Sequence, residues 1–348
     1  MIKPALLSYQ NIDIYLEDKH GGDLSNVMIE NRHIKDWIDL STGINPNAYN
    51  KFNIDSTIYS YLPSDEQLEE LMVIAKKYYK LNQDTEICAY QGAQGIINII
   101  PNIIDNVIYD TIQIQTPTYT EHYRVWNNNG FKINLVTNIE TELDPSMPFV
   151  LVNPNNPDGK LIQPGYLEHV WEEIKKANGL LIIDESFMDA TPDMSLSFDK
   201  CRDNIIVIRS FGKFFGLPGL RLGFAYGDND YIDRISNCIG PWPISTSSLQ
   251  IASKAMSDNA WIKNAITNLK IKSEALSSLL RDQGLNIIGD CNFFKLIEVE
   301  SAADMNRALV NRGIWTRIFK YNHKWLRMGL TKNKIEFEYL ANTMKDIL

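Results

Sequence analysis

The chain has 348 residues, 44% hydrophobic and 22% charged, with a formal net charge of −9. That composition excludes a disordered chain and is that of a folded protein long enough for two domains. The acidic balance argues against a broad basic nucleic-acid surface while leaving room for a local anion pocket. A cytoplasmic location is expected, because Met1-Ile-Lys-Pro-Ala-Leu-Leu lacks the apolar core of a signal peptide and no run approaches a membrane span. Cys88, Cys201, Cys238 and Cys291 show no paired spacing and the five histidines no metal-ligand spacing, so no metal is expected.

Residues 1 to about 40 are polar and irregular, with a Gly-Gly turn after His20 and a short extended piece ended by Asn45-Pro46. Ser64, with Gln67 three residues on, predicts the start of a helix running to about Tyr79. From Thr85 the pattern settles into strand, turn and helix units. Apolar runs at Ile87 to Tyr90, Ile112 to Ile114, Phe149 to Val152, Leu180 to Ile183 and Ile205 to Ile208 predict strands buried on both faces of a mainly parallel sheet. Leu167, Val170, Trp171 and Ile174 make one helix stripe, stopped by Asn178-Gly179. The expected fold is α/β, with helices on both faces of the sheet. Beyond about residue 245, one long helical stretch, roughly 246 to 284, leads to strand, helix, strand, strand and helix, a smaller α+β unit. The expected division is an N-terminal segment 1–45 joining the small domain, a large domain 46–245 and a small C-terminal domain 246–348.

Ligands of open α/β sheets bind beyond the carboxyl ends of the strands, which directs attention to the residues after each apolar run. After Tyr90, Gln91-Gly-Ala-Gln94 leads into a helix, so the N–H groups of Ala93 and Gln94 point where a phosphate would sit. After Gln115 comes Thr116-Pro-Thr-Tyr119-Thr-Glu-His122, and after Val152 the turn-forming Asn153-Pro-Asn-Asn156-Pro-Asp-Gly159. After Ile183 stands Asp184-Glu-Ser-Phe187, where an acid either caps a helix or pairs with a protonated ring nitrogen; Glu185 is assigned a structural place. After Ile208, Ser210-Phe-Gly-Lys213 presents one lysine on a constrained loop, surrounded by Phe211, Phe214, Phe215 and Leu217. Apolar surroundings lower the pKa of an ammonium toward the neutral amine that forms Schiff bases. A phosphate-cradling P-loop is excluded, since Val207 and Phe214 occupy its required Gly and Ser/Thr positions. Near the C-terminus, Arg317 and Arg327 each end a strand-like run and can hold a carboxylate or phosphate bidentately.

The string Ser210-x-x-Lys213-x-x-Gly216-Leu-x-Gly219-Leu-Arg221-x-Gly223 resembles the lysine signature of fold-type I pyridoxal-phosphate enzymes of the aminotransferase class I/II superfamily. The resemblance implies pyridoxal 5'-phosphate attached at Lys213, with Ser210 and Arg221 on its phosphate. It further implies Tyr119 stacked on the pyridine ring, Asn156 on the phenolate oxygen and Asp184 on the ring nitrogen. The match continues through His20-Gly-Gly, Asp39-Leu-Ser-Thr-Gly43-Ile-Asn-Pro46, Gly240-Pro-Trp242 and Trp325-Leu-Arg327-Met-Gly. Together these look like the threonine-phosphate decarboxylase group of cobalamin biosynthesis. The implied reaction converts L-threonine O-3-phosphate to (R)-1-aminopropan-2-yl phosphate and CO2, with substrate contacts from His20, Gly43, Arg317 and Arg327. One departure bears on this: Phe187 stands where aminotransferases of the histidinol-phosphate type usually carry a tyrosine. Such an aminotransferase is the alternative reading, and a non-catalytic cofactor-binding regulator a third. The family also implies a homodimer with shared sites, in which Tyr61 or Tyr59 reaches the partner's cofactor phosphate.

Overall fold

The computed structural model describes residues 20–105 and 107–348, so the first nineteen residues of the expected N-terminal segment lie outside the described residues. Helix α1 (Ser25–Glu30), strand β1 (Ile38–Asp39) and a 3-10 turn at Ser56–Ser60 come first. Helix α2 (Asp65–Tyr78) begins at the predicted capping pair. Ser64 Oγ accepts the Gln67 N–H and Gln67 Oε1 accepts the Ser64 N–H, each at 3.2 Å.

The central sheet is built from β2 (Ile87–Tyr90), β3 (Thr111–Gln115), β4 (Lys132–Val136), β5 (Phe149–Val152), β6 (Leu181–Asp184), β7 (Ile205–Ser210) and β8 (Gly223–Gly227). Its seven strands lie in the order β2-β8-β7-β6-β5-β3-β4. Every pairing is parallel except the two made by β8. Two strands, β4 and β8, carry no continuous apolar run and escape the sequence reading. β4 is an edge strand with Lys132 and Asn134 exposed. β8 is bracketed by glycines that close packing requires: a Cβ on Gly223 would stand 2.4 Å from the Ala93 nitrogen, and one on Gly227 2.2 Å from the Ile205 carbonyl oxygen.

Helices α3 (Gly92–Ile103), α4 (Thr120–Asn128), α5 (Ile139–Glu142), α6 (Pro164–Lys176), α7 (Phe211–Phe214) and α8 (Asn229–Ile239) link or cover these strands. Successive strand residues face opposite ways, and the core divides accordingly. Val150, Ile182 and Ile206 pack with Ile96 of α3 and Val125 of α4. Leu151, Ile183 and Val207 pack with Leu71 of α2 and Leu167 of α6. Each such fully buried Leu or Ile contributes about 1.5–3 kcal/mol of transfer free energy, which is what holds the strand ends in place for chemistry.

The single helix expected over 246–284 is two helices, α9 (Thr246–Ser257) and α10 (Asn259–Asp282). Asp258 causes the break: its carboxylate accepts the Trp261 N–H at 3.0 Å and caps α10. The elements beyond also exceed the expectation of strand, helix, strand, strand and helix. They are β9 (Asn286–Cys291), β10 (Phe294–Glu298), α11 (Ala302–Val310), β11 (Ile314–Trp315), β12 (Arg317–Phe319), β13 (Asn322–Gly329) and α12 (Lys334–Ile347). A two-residue turn at Asn292-Phe293 joins β9 to β10, too short to register as a gap in the apolar pattern. Strands β12-β13-β10-β9 form an antiparallel sheet. β1 pairs in parallel with β11, and the Gly329 N–H donates to the Leu40 carbonyl at 2.7 Å. These bonds tie the chain leading to Ser41, Thr42 and Gly43 to the C-terminal elements.

Candidate active site

The carboxyl ends of the parallel strands open on one cavity of about 260 Å³. His20, Gly43, Ala93, Gln94, Tyr119, Asn156, Asp184, Ser210, Lys213, Arg221, Arg317 and Arg327 all line it. Residues from more than 300 positions of sequence are thereby brought to one place.

Lys213 enters from α7, the short helix that Ser210 begins. Phe211, Phe214 and Phe215 around it are fully buried, and Asn45 clamps the turn by donating its backbone N–H to the Lys213 carbonyl and its Nδ2 to the Phe214 carbonyl, both at 2.9 Å. What exposure the side chain keeps is toward the cavity, where Nζ lies 5.5 Å from the centre of the Phe187 ring. Burial pushes the ammonium down to about 8, the Arg327 guanidinium pushes the same way, and the Asp184 carboxylate opposes both. At pH 7 about a tenth of such lysines are neutral amine, against about 0.03% at the ordinary value.

Asp184 closes β6 and is 3% exposed. His122 Nε2 lies 3.1 Å from Oδ2, while Ser186 donates its N–H (2.9 Å) and its hydroxyl (2.5 Å) to Oδ1. Burial alone would raise this carboxyl; the hydrogen bonds and charge of His122, with those of Ser186, outweigh it and hold it below the ordinary range. An ionised acid is therefore available to hold a protonated ring nitrogen. Neither His122 nor Ser186 is marked by sequence reasoning; the available signal is position, since His122 stands in the first turn of α4, three residues after its N-cap Tyr119.

An anion cradle faces these groups. Helix α3 starts at Gly92 with no side-chain cap from Gln91, leaving the N–H groups of its first turn without intrahelical partners. Gly92 has φ +80, and a Cβ there would meet the Arg221 guanidinium at 2.9 Å. Arg221 itself is left-handed, φ 51 and ψ 59, a conformation costing about 1–2 kcal/mol for an L-residue, and the 3-10 turn Pro218–Leu220 holds it there. Ser210 completes the wall.

At the other end of the cavity, Arg327 donates to Asn156 Oδ1 and, through Nη2, to the Ser41 carbonyl at 2.9 Å. Its guanidinium lies over Phe294 at 4.8 Å and Phe319 at 6.0 Å; that of Arg317 lies over Phe319 at 5.1 Å. Phe187 packs on Phe293 and Phe294, and a Cβ on Gly43 would stand 2.8 Å from both Phe187 and Phe294. Gly43 thus lets the N-terminal segment lie against an aromatic floor. His20 Nε2 lies 2.7 Å from Glu121 Oε1, and Tyr119 donates to Gln94 Oε1 at 3.0 Å.

Tyr59, Tyr61 and Glu185 stand outside this cavity. Tyr61 is 75% exposed and Tyr59 68% exposed, and neither lines the cavity of its own chain. Glu185, one residue after Asp184, points away from the cavity and is paired with Arg209 at 2.5 Å, which also holds Asp189 at 2.6 Å. Burial raises both of these carboxyls.

In chemical terms the cavity offers an amine nucleophile, an ionised acid, an aromatic ring and an anion cradle. That donor set fits a phosphorylated pyridine aldehyde: the small φ-positive Gly92 and the uncapped helix start leave space and donors for its phosphate, and Asp184 supplies the charge for its ring nitrogen. Residues 35–344 match the model of the family described as aminotransferase class I and II. The chain is 32% identical over 327 residues to a threonine-phosphate decarboxylase of Sinorhizobium sp, covering 93% of this chain and 97% of the relative. It is likewise 32% identical to the threonine-phosphate decarboxylase of Pseudomonas aeruginosa, covering 90% and 92%. Among solved structures, the histidinol-phosphate aminotransferase from Clostridium acetobutylicum superposes with a TM-score of 0.76 at 22% identity, over 89% of this chain and 98% of that one.

Proposed function

The chain belongs to the aminotransferase class I and II family, and from that membership we propose that it decarboxylates L-threonine O-3-phosphate to (R)-1-aminopropan-2-yl phosphate, with pyridoxal 5'-phosphate as cofactor. The observation that carries the substrate is the 32% identity, over nine-tenths of the chain, to relatives named threonine-phosphate decarboxylase. The site agrees with a substrate that is anionic at both ends, because Arg317 and Arg327 face the same cavity as Lys213.

When bound, the cofactor supplies an electron sink for the bond broken at the substrate's Cα. The first-turn N–H groups of α3, Ser210 and Arg221 would hold its phosphate, Tyr119 would cover its ring face, Asn156 would bond its ring oxygen and Asp184 would hold the proton on its ring nitrogen. Lys213 Nζ would hold the cofactor's aldehyde carbon, and as a free amine it can move a proton at the substrate's Cα, since burial brings its pKa down to about 8. The choice between losing the carboxylate and losing a proton at Cα falls to the residues that orient the substrate. Arg327 and Arg317, with His20, fix both anionic ends, so the rotation about Cα–N that would offer hydrogen in place of the carboxylate is restricted. Phe187 and Phe319 line the cavity beside these arginines and keep water from that end of it.

The same reading makes the enzyme a homodimer with shared sites, supported by the outward-facing Tyr59, Tyr61 and Leu62. It assigns the chain up to residue 45 to the small domain, supported by the β1–β11 pairing. CO2 release from L-threonine O-3-phosphate without a 2-oxo acid acceptor tests the reading; amino transfer that requires an acceptor and evolves no CO2 replaces it with an aminotransferase.

A further inference from the structure

Glu121 does not line the cavity, yet two of the cavity's side chains, His20 and Gln94, are hydrogen-bonded to it. It stands in the first turn of α4 and is 6% exposed. Oε1 lies 2.7 Å from His20 Nε2; Oε2 accepts from Gln94 Nε2 at 3.2 Å and from Arg124 Nε at 3.0 Å. Gln94 in turn accepts the Tyr119 hydroxyl at 3.0 Å, and the His20 ring lies 5.3 Å from the Tyr119 ring. Burial would raise the Glu121 carboxyl, but the hydrogen bonds from His20 and Arg124 outweigh it and keep it ionised. An ionised carboxylate only accepts, so each of these three neighbours must donate to it. His20 therefore carries its proton on Nε2, and the Gln94 amide is fixed with nitrogen toward Glu121 and oxygen toward Tyr119.

We infer that Glu121 is the positioning residue for the anion-binding end of this site: one carboxylate sets the orientation of His20 directly and of Tyr119 through Gln94. This rests on the proposal that the substrate is a phosphorylated amino acid whose anions His20 helps to bind. The arrangement is specific to a carboxylate. An amide at position 121 presents an N–H₂ to one of its two sides and cannot accept from both His20 and Gln94. His20 then loses a charge-assisted partner, or Gln94 turns over and releases Tyr119.

The test uses the holoenzyme and four proteins: wild type, Glu121→Gln, His20→Ala and the double variant. Each is titrated with L-threonine O-3-phosphate and with L-threonine, and kcat and KM are measured separately. Glu121→Gln should reduce the preference for the phosphorylated compound by about tenfold, mainly through KM, the scale of one lost hydrogen bond to a charged group. Because the preference for the phosphorylated compound is carried by His20, while Tyr119 meets both compounds alike, the double variant should lose no more preference than His20→Ala alone. Unchanged preference in Glu121→Gln, or losses that multiply in the double variant, overturns the inference. Should Glu121→Gln not fold, Glu121→Asp withdraws both oxygens while keeping the charge, and the same non-additivity with His20→Ala is required. If wild type shows no preference for the phosphorylated compound, the substrate reading fails instead. The four proteins are then compared on whichever anionic amino acid the enzyme prefers, where the same non-additivity decides the role of Glu121.

Discussion

Arg317 and Arg327 stand directly opposite one another on the antiparallel strands β12 and β13, each at least nine-tenths buried and each lining the cavity that holds Lys213. Like charges at directly opposed sheet positions are destabilising by themselves, and burial sharpens the repulsion. An anion bound between them adds attractions that outweigh the repulsion.

The first prediction follows from this pair. O-Phospho-L-threonine, or inorganic phosphate at about ten times its Kd, should stabilise the protein by about 1.4 kcal/mol, read as a rise in Tm. Arg327→Ala should abolish most of that rise and lower kcat/KM at least about tenfold, since removing one partner of a buried charge pair costs on the order of 2–5 kcal/mol. An unchanged Tm response in Arg327→Ala would remove this arginine from anion binding.

The second concerns the pH dependence of Lys213. Its folded-state pKa of about 8 is below the ordinary lysine value, so the native state binds fewer protons than the unfolded chain between the two values. In cofactor-free protein, the cost of the buried ammonium is fully present below about 8 and is relieved as pH rises through that value toward the ordinary one. Borohydride-trapped attachment of the cofactor should accelerate as pH rises to about 8 and level off above it. Arg327→Met removes a neighbouring positive charge that lowers this pKa and should move the midpoint upward. A midpoint at the ordinary lysine value in wild type would contradict the desolvation argument.

The third concerns the cradle. Gly223→Ala places a methyl group 2.4 Å from the Ala93 nitrogen and must push the start of α3 away from β8. A stability loss of about 1–3 kcal/mol is expected from such overpacking. Cofactor affinity should fall with it, because the displaced N–H groups are those assigned to the phosphate. Equilibrium dialysis of the cofactor alongside a urea melt separates the two effects, and full retention of affinity would argue that the first turn of α3 does not hold the phosphate.

The fourth concerns Tyr61. Hybrids of Lys213→Ala and Tyr61→Phe subunits should recover part of the activity that each lacks alone, because one of the two mixed sites carries neither substitution. Sedimentation of the wild type as a monomer at micromolar concentration would end the shared-site proposal.

Much of the frame is legible in the chain because buried parallel strands are continuous apolar runs: Ile87–Tyr90 and Phe149–Val152 coincide residue for residue with β2 and β5. Site residues after those runs are legible for the same reason, since topology gathers strand ends. What the pattern hides has physical causes. β8 consists of glycines dictated by tertiary packing around three ordinary residues, and β4 is a solvated edge, so neither shows the expected period. The break at Asp258 depends on one capping carboxylate within a stretch that is otherwise helical in pattern. Glu121 and His122 stand behind the cavity wall and touch it through other side chains, and Ser186 spends its N–H and hydroxyl on Asp184; such indirect roles leave no spacing to read. Glu185 has a structural place, and its pairing with Arg209 rests on β6 and β7 being neighbours, which the local sequence does not state.

The central claim is that this site breaks the Cα–carboxylate bond of L-threonine O-3-phosphate, and product analysis by mass spectrometry with and without 2-oxoglutarate tests it most directly. The account predicts CO2 and (R)-1-aminopropan-2-yl phosphate at the same rate in both reactions, with plain L-threonine far slower. Amino-group transfer that depends on 2-oxoglutarate, with no CO2 evolved, would contradict it.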